Sequence, residues 1–312
     1  MSDEGSSRDK WLSRRDFMKV TGLLLAATQV PRFLIGKEAI EKTGVKSLET
    51  EKAFFFPLYE RHDKPLSSKE IEKLPGVDVF LYEYQIRSGY LASMDSTEVL
   101  NQEVQFDVSD KSRRPLIPEG HVEALLGHKA SISFEGFLYS DDIKGELAKH
   151  RTIDIAEQAE KLVDELNTDP NLEKVQIARQ LASKVERLVN NPDSKENFIF
   201  FRNVMIARRL QFLAEAFSEL RKRKAQIGFS VGRSHEGIED LLTLGDQSVL
   251  TIIESYPPEF LEKLVNINGG IDAFCSTTVL TPLKDNPMKI ELLDRDLKEL
   301  LESKLSQRIV NK

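Results

Sequence analysis

One histidine stands between two glycines where the sequence pattern changes from strand to helix. The run QIGFSVGRSHEGIEDLL alternates apolar with polar or small residues up to Gly232, places His235 three residues later, and continues after Gly237 with apolar residues at helical spacing. Ligands and catalytic groups collect at the carboxyl ends of strands in open α/β sheets. The pattern predicts a strand, a tight turn that carries an imidazole, and a helix. A purely structural histidine stays open as the alternative.

Two earlier apolar runs, KAFFFPLY and VDVFLYEY, are predicted strands that also end in polar side chains. The first is followed by Glu60, His62 and Asp63, and the second carries Glu83 close to its end. Together with His235 these groups supply two imidazoles and several carboxylates, which can bind a divalent metal ion or work as an acid–base pair without metal. Spacing alone leaves both chemistries open, because only the fold can bring these groups together.

The elements that position these groups follow from hydrophobic periodicity. Apolar residues at helical spacing recur from about 142 to 223 and predict a group of long helices. These helices separate the early strands from the strand that ends at Gly232. We therefore expect an α/β fold with a mixed central sheet flanked by helices and a helical insertion at about 142–223, in a single domain that spans residues 46–312. The other expected elements are strands at 129–139, 248–254 and 274–280 and a helix at 294–305.

Composition limits the classes of function. The chain has 312 residues and a net charge of −7, which argues against a general binder of nucleic acid or of anionic membranes. The one dense basic cluster, Arg221 to Lys224, closes a predicted helix, where cations complement the helix dipole, so we expect a solvated helix end. Cys275 is the only cysteine, which excludes an intrachain disulfide and a cluster of thiolate ligands.

The N-terminal residues resemble an export signal. The stretch SRRDFMK, which contains Arg14 and Arg15, precedes a short apolar run at 20–27 and is similar to a twin-arginine signal. A membrane span needs about 20 apolar residues, so this run is short for one. The resemblance implies a prokaryotic protein that the twin-arginine translocation machinery exports, already folded, to the periplasm or the cell exterior. We therefore expect residues 1–45 to be a signal and linker outside the folded domain. The signal could be cleaved, or it could remain as an N-terminal anchor.

Four short motifs occur in an order that resembles a known superfamily. They are E-x-H-D-x-P after the first strand, a glutamate at the end of the second, R-N-x-x-[IM]-A on a helix and G-x-x-H-x-G-I after the later strand. The set resembles the superfamily that joins TraB/Tiki-type proteins, ChaN-like haem-binding lipoproteins and erythromycin esterases. The resemblance covers residues 52 to about 245 in short islands and implies an α/β sheet with a helical insertion. The matching residues are Glu60, His62, Asp63 and Pro65; Glu83; Arg202, Asn203, Ile206 and Ala207; and Gly232, His235, Gly237 and Ile238.

The resemblance to TraB/Tiki-type proteins implies an exported, metal-dependent hydrolase of peptide or ester bonds. Under this hypothesis His62, Glu83 and His235 hold a divalent ion or polarise water, and Glu60 is the general base. The expected partner is a small-molecule or peptide substrate, with no nucleic acid. Several relatives associate, so a homo-oligomer is a further expectation.

Other residues of the motifs are expected to complete the site. Arg202 would neutralise a carboxylate or a developing oxyanion, and Asn203 would form a hydrogen bond within the site. Tyr59, Asp63 and Gly232 are expected beside the bound cofactor.

Two other functions compete with hydrolysis. The resemblance to ChaN-like proteins implies haem or another iron ligand, with Tyr59, Tyr82 or Tyr84 as an axial or aromatic contributor. The third hypothesis is a degenerate member that acts as an interaction module. One departure from the superfamily pattern favours this hypothesis. Three residues before the first histidine the superfamily usually has a glycine, and this chain has Tyr59. Tyrosine accepts positive φ poorly, so we expect a wider or differently twisted turn there.

Overall fold

The chain forms a mixed α/β fold, as the sequence predicts at this coarse level. Parallel strands make the centre of the sheet, and long helices precede the last of these parallel strands in the sequence. The computed structural model describes residues 46–60, 77–82, 130–133, 146–147, 153–168, 171–189, 195–280 and 289–310.

The described strands form one sheet of seven. They are β1 (Leu48–Glu49), β2 (Ala53–Glu60), β3 (Val79–Tyr82), β4 (Ala130–Ser133), β5 (Ala225–Gly232), β6 (Ser276–Leu280) and β7 (Lys289–Leu293). Their spatial order is β1-β2-β5-β3-β4-β6-β7. Strands β2, β5, β3 and β4 are parallel neighbours, whereas β1 and the pair β6 and β7 are added antiparallel at the two sides. The parallel centre places the carboxyl ends of β2, β5 and β3 at one edge, which we call the carboxyl edge.

The described helices form two groups along the chain. Three long ones lie between β4 and β5, and the others follow β5. They are α1 (Ile153–Leu166), α2 (Leu172–Val189), α3 (Lys195–Arg221), α4 (Ile238–Leu244), α5 (Asp246–Glu254), α6 (Pro258–Ile267), α7 (Ile271–Cys275) and α8 (Arg295–Val310).

Helix α3 forms the centre of the core. Every residue from Phe200 to Gln211 is buried, as expected of a helix that has neighbours on all sides. It contacts β2, β5, α4 and α5, so it joins the sheet to the helices that follow it. The polar and charged residues of α3 therefore need partners inside the protein, because an unpaired buried polar group costs free energy.

The predicted strand at 248–254 is wrong, because this segment is helix α5. The run SVLTIIE is rich in β-branched residues, but a short apolar run fits a buried helix equally well. Val249, Ile252 and Ile253 are buried at helical spacing, while Glu254 is exposed. Gly245, with φ of +92°, separates α5 from α4 and lets the second helix start in a new direction.

The basic cluster at the end of α3 is only partly solvated, contrary to expectation. Helix α3 ends at Arg221. Arg223 then donates two hydrogen bonds to the buried carboxylate of Asp78, with an Nη2–Oδ1 distance of 2.8 Å. Lys224 pairs with Glu49 at an Nζ–Oε1 distance of 2.8 Å. These cations tie the loop before β5 to β1 and to the start of β3, at the edge opposite the carboxyl edge.

The other expected elements agree with the structure where it describes them. Strands β2, β3, β4 and β6 fall in the predicted runs, α1 to α3 fill much of the predicted helical region, and α8 starts one residue after the predicted start at Asp294. The stretch with Arg14 and Arg15 lies outside the described residues. Within the part of the chain that is described, none of the helices combines the length and the apolar character that a membrane crossing requires.

Candidate functional site

Three strands end side by side at the carboxyl edge. In the parallel pairing of β2 with β5, Tyr59 is level with Val231 and Glu60 is level with Gly232. On the other side of β5, Tyr82 of β3 is level with Ser230. Glu60 and Gly232 are thus cross-strand neighbours, and Tyr82 lies on the other side of β5, two residues before the level of Gly232. The structure brings together the strand ends that carry the sequence motifs.

The turn after β5 buries the histidine that the sequence singles out. Gly232 is still extended, with φ of −60° and ψ of 150°, and a single 3₁₀ turn from Arg233 to His235 follows. His235 is fully buried, whereas Arg233 is exposed. Gly237 then adopts φ of +104°, a region that favours glycine, and α4 begins at the next residue. The predicted order of strand, turn and helix is confirmed.

Asn203 of α3 holds the imidazole. The His235 Nδ1 atom lies 2.5 Å from the Asn203 Oδ1 atom, and the Asn203 Nδ2 atom donates to the backbone carbonyl of Glu236 at 3.4 Å. A carbonyl oxygen can only accept, so the amide nitrogen must face Glu236 and the amide oxygen must face the imidazole. Nδ1 therefore carries the proton and donates it. In the neutral ring this leaves the lone pair on Nε2.

Arg202, the residue before Asn203, is also buried, but its side chain leaves the helix in another direction. Successive residues of an α-helix are about 100° apart around its axis. The guanidinium carbon of Arg202 lies 5.6 Å from the centroid of the Phe198 ring, at cation–π distance. Arg202 is thus a buried cation on the same turn of α3 as the residue that binds His235. Its predicted action on an oxyanion stays a prediction.

Tyr59 lies within the regular part of β2, at the residue pair before the strand ends. The strand continues to Glu60, and Tyr59 is not among the described residues with positive φ. The turn for which a wider course is predicted follows Glu60 and lies outside the described residues. Its ring is partly buried and its hydroxyl is enclosed beside the Glu239 carboxylate. Burial, and then the charge of Glu239, raise the pKa of Tyr59. The phenol consequently stays neutral at physiological pH.

Several predicted site residues fall outside the described residues. These are His62, Asp63, Glu83 and Tyr84. For Glu60 and Tyr82 the structure gives the backbone position at the carboxyl edge. Within the described ranges, no group of three or more histidine, cysteine, aspartate or glutamate side chains has a metal-ligating arrangement. Of the three predicted metal ligands, His62, Glu83 and His235, the described residues include His235 alone.

A second buried polar cluster on α3 was missed by the sequence analysis. Arg208, which is fully buried, donates from Nε to Asp294 Oδ2 at 2.7 Å and from Nη2 to Asp294 Oδ1 at 2.5 Å. Its Nη1 group donates to Asp246. An arginine in the apolar stretch of a helix is a signal for a buried anion, but the sequence does not reveal that the partner lies 86 residues away. The cluster joins α3 to α5 and α8.

No protein-family model, curated protein or solved structure matches this chain.

Proposed function

We propose that this chain is an exported hydrolase of peptide or ester bonds whose reaction centre lies at the carboxyl edge and uses a divalent metal ion. The observation that carries the proposal is the hydrogen bond between His235 and Asn203. Histidines that bind metals almost always donate their other ring N–H to an oxygen acceptor, which fixes the tautomer and aims the lone pair. The amide oxygen of Asn203 supplies that acceptor within 2.5 Å of Nδ1.

The surroundings of His235 fit this role. Its ring is fully buried, and metal binding would need the neutral imidazole. By the resemblance, His62 and Glu83 would complete the ligand set. A bound divalent ion would supply a water of lowered pKa and polarise the scissile carbonyl.

The remaining roles belong to residues around this edge. Glu60, level with Gly232 at the end of β2, would accept a proton from the attacking water. Asn203 keeps the imidazole in one orientation, because it is itself held by the Glu236 carbonyl. Arg202 would stabilise negative charge on the substrate or on the developing oxyanion.

The haem-binding alternative receives less support from Tyr59. A tyrosine that binds haem iron does so as a phenolate, but the Tyr59 hydroxyl is enclosed beside the Glu239 carboxylate, and burial raises the pKa of the iron-free phenol. We therefore place hydrolysis before haem binding. An interaction module without chemistry is the function that would remain if neither metal nor haem binds.

Metal analysis of the full-length chain and of His235→Ala tests the proposal. After incubation with Zn²⁺ or Mn²⁺ and removal of excess metal, we expect about one bound ion in the wild type and a loss of at least tenfold in affinity in the variant. Arg233→Ala is the matched control, because Arg233 is exposed on the same turn and should leave metal binding unchanged. A panel of p-nitrophenyl esters and fluorogenic peptides then reports hydrolysis.

Two results would contradict the proposal. One is equal metal content in the wild type and in His235→Ala. The other is a Soret absorbance band after addition of haemin together with no uptake of Zn²⁺ or Mn²⁺, which would move the assignment to haem binding.

A further inference from the structure

The chain enters the described domain beside the His235 turn. Lys46, two residues before β1, contacts both carboxylate oxygens of Glu239, with Nζ at 2.9 Å from Oε1 and 3.1 Å from Oε2. The two residues are 193 positions apart in the sequence. Glu239 lies in the first turn of α4, four residues after His235. The contact therefore joins the start of the domain to the helix that follows the histidine.

Strand pairing explains why these two residues meet. β1 is antiparallel to β2, with Leu48 level with Phe55 and Glu49 level with Phe54. Lys46 and Ser47, which precede β1, accordingly lie toward the carboxyl end of β2. Lys46 thus lies on the side of the sheet where the His235 turn begins.

The His235 turn is held from two sides. On one side Asn203 contacts both His235 and the carbonyl of Glu236. On the other side Lys46 contacts Glu239. Between these contacts stands Gly237, with φ of +104°, and a glycine leaves the backbone freer to rotate than any other residue. The second contact therefore joins the start of α4 to the residues just before β1, and the flexible Gly237 lies between the two contacts.

The Glu239 carboxylate is only partly exposed. Its side chain is 20% exposed, its Oε1 atom is enclosed, and the carboxylate lies near the Tyr59 phenol. Lys46 is 69% exposed, so its contact with Glu239 is open to screening by salt. An ion pair of this kind adds a modest stabilisation and can be released without disturbing the core.

We propose that the contact between Lys46 and Glu239, which we call the strap, controls how often the His235 turn opens. Intact, the strap holds the start of α4 to the residues just before β1. Released, it allows the turn to open about the joint at Gly237. The consequence for catalysis rests on the proposed function, whereas the opening of the turn does not depend on metal or on hydrolysis.

Hydrogen–deuterium exchange of full-length protein measures this opening directly. In Lys46→Met we expect the amides of residues 233–241 to exchange about two- to fivefold faster than in the wild type at low salt, the factor that corresponds to loss of one partly exposed ion pair. Lys52→Met is the matched control: Lys52 is 54% exposed beside Glu51 at the opposite end of β2, and its removal changes the net charge equally.

Salt and a second variant make the test specific. In 0.5 M NaCl the wild type should approach the exchange of Lys46→Met, because the strap is screened. Combining Lys46→Met with Glu239→Gln should give no faster exchange than Glu239→Gln alone. The proposal would be refuted by equal exchange rates in the wild type and Lys46→Met, or by the same acceleration of exchange in Lys52→Met. Because exchange needs no ligand, this failure is distinct from a failure of the metal test on His235→Ala.

Discussion

Asn203 and Arg208 lie five residues apart on α3 and are buried to the same degree, yet their surroundings differ. Arg208 is matched by full charges: two hydrogen bonds go to Asp294 and one to Asp246. Asn203 is matched by an imidazole and a backbone carbonyl. In the first arrangement, a rigid guanidinium donates hydrogen bonds to carboxylates at the starts of α5 and α8. The second orients a ring that still carries a lone pair.

The difference separates a cluster that joins helices from a pair that orients an imidazole. In the Arg208 cluster the Asp294 carboxylate also accepts the backbone N–H of Leu297 at 3.1 Å, so it caps α8 while it binds the arginine. Every contact there joins one helix to another. In the Asn203 pair the contacts fix the tautomer of His235, and a fixed tautomer matters for binding a ligand or moving a proton.

Removal of Arg208 is the largest change we expect. Arg208→Met leaves the buried Asp294 carboxylate without its counter-ion, which should lower the free energy of unfolding by about 3–5 kcal/mol. Urea unfolding followed by circular dichroism measures the loss. Arg295→Met is the control, because Arg295 is exposed at the start of α8 and its removal should change stability by less than about 0.5 kcal/mol.

A second substitution sharpens this result. Asparagine can cap a helix as aspartate does but carries no charge, so Arg208→Met combined with Asp294→Asn should recover part of the lost stability. A double variant that is less stable than Arg208→Met would mean that the cluster does not act through the unpaired charge.

Removal of the Asn203 amide is expected to cost less stability but to affect the site. Asn203→Ala leaves a buried imidazole N–H without its acceptor, which should lower the free energy of unfolding by about 1–3 kcal/mol. Under the proposed function it should also weaken Zn²⁺ binding by about 10- to 100-fold. Isothermal titration with Zn²⁺ and urea unfolding measure the two effects.

Gln211→Ala is the matched control for Asn203→Ala. Gln211 is another buried amide of α3, and its Nε2 atom donates to the Leu241 carbonyl at 3.4 Å. We expect it to lower stability without changing Zn²⁺ affinity. Equal losses of Zn²⁺ affinity in both variants would show that Asn203 acts through general stability, and the distinction between the two polar groups of α3 would then be lost.

The sequence predicts the local order around His235 better than it predicts the partners of that residue. Strand β5, the turn and α4 follow from alternation, two glycines and helical periodicity, which are local signals. The prediction of a strand at 248–254 failed because β-branched composition is a weak signal when tertiary packing favours a helix. Asn203 was placed in the site by resemblance, but its specific contacts with His235 and Glu236 depend on how α3 packs against the turn.

Long-range charge pairs are the part that the sequence leaves undetermined. Arg208 meets Asp294, Lys46 meets Glu239 and Arg223 meets Asp78 across 86, 193 and 145 residues. Each chain position has many oppositely charged residues available, since the protein contains 44 basic and 51 acidic side chains. Only the packing of the elements selects among them.

The smallest expected effect concerns a third polar group that packs against α3, the hydroxyl of Tyr256. It is fully buried and has no hydrogen-bond partner among the residues that the structure describes, while its ring packs edge-on against Phe201 at 5.2 Å between centroids. Tyr256→Phe keeps that packing and removes a polar group that loses its hydration on folding. We therefore expect the free energy of unfolding at pH 7 to stay unchanged or to rise by about 1 kcal/mol.

The pH dependence of Tyr256→Phe extends this prediction. Burial raises the pKa of Tyr256 above its ordinary value of 10.0. Above pH 10 the unfolded chain releases the phenolic proton while the folded protein keeps it, so the wild type loses stability as pH rises, by up to about 1.4 kcal/mol per pH unit from this group. The advantage of Tyr256→Phe should then grow between pH 9 and pH 11 in urea unfolding. A variant clearly less stable than the wild type at pH 7 would mean that the hydroxyl has a partner, and that Tyr256 is matched as fully as Arg208 is.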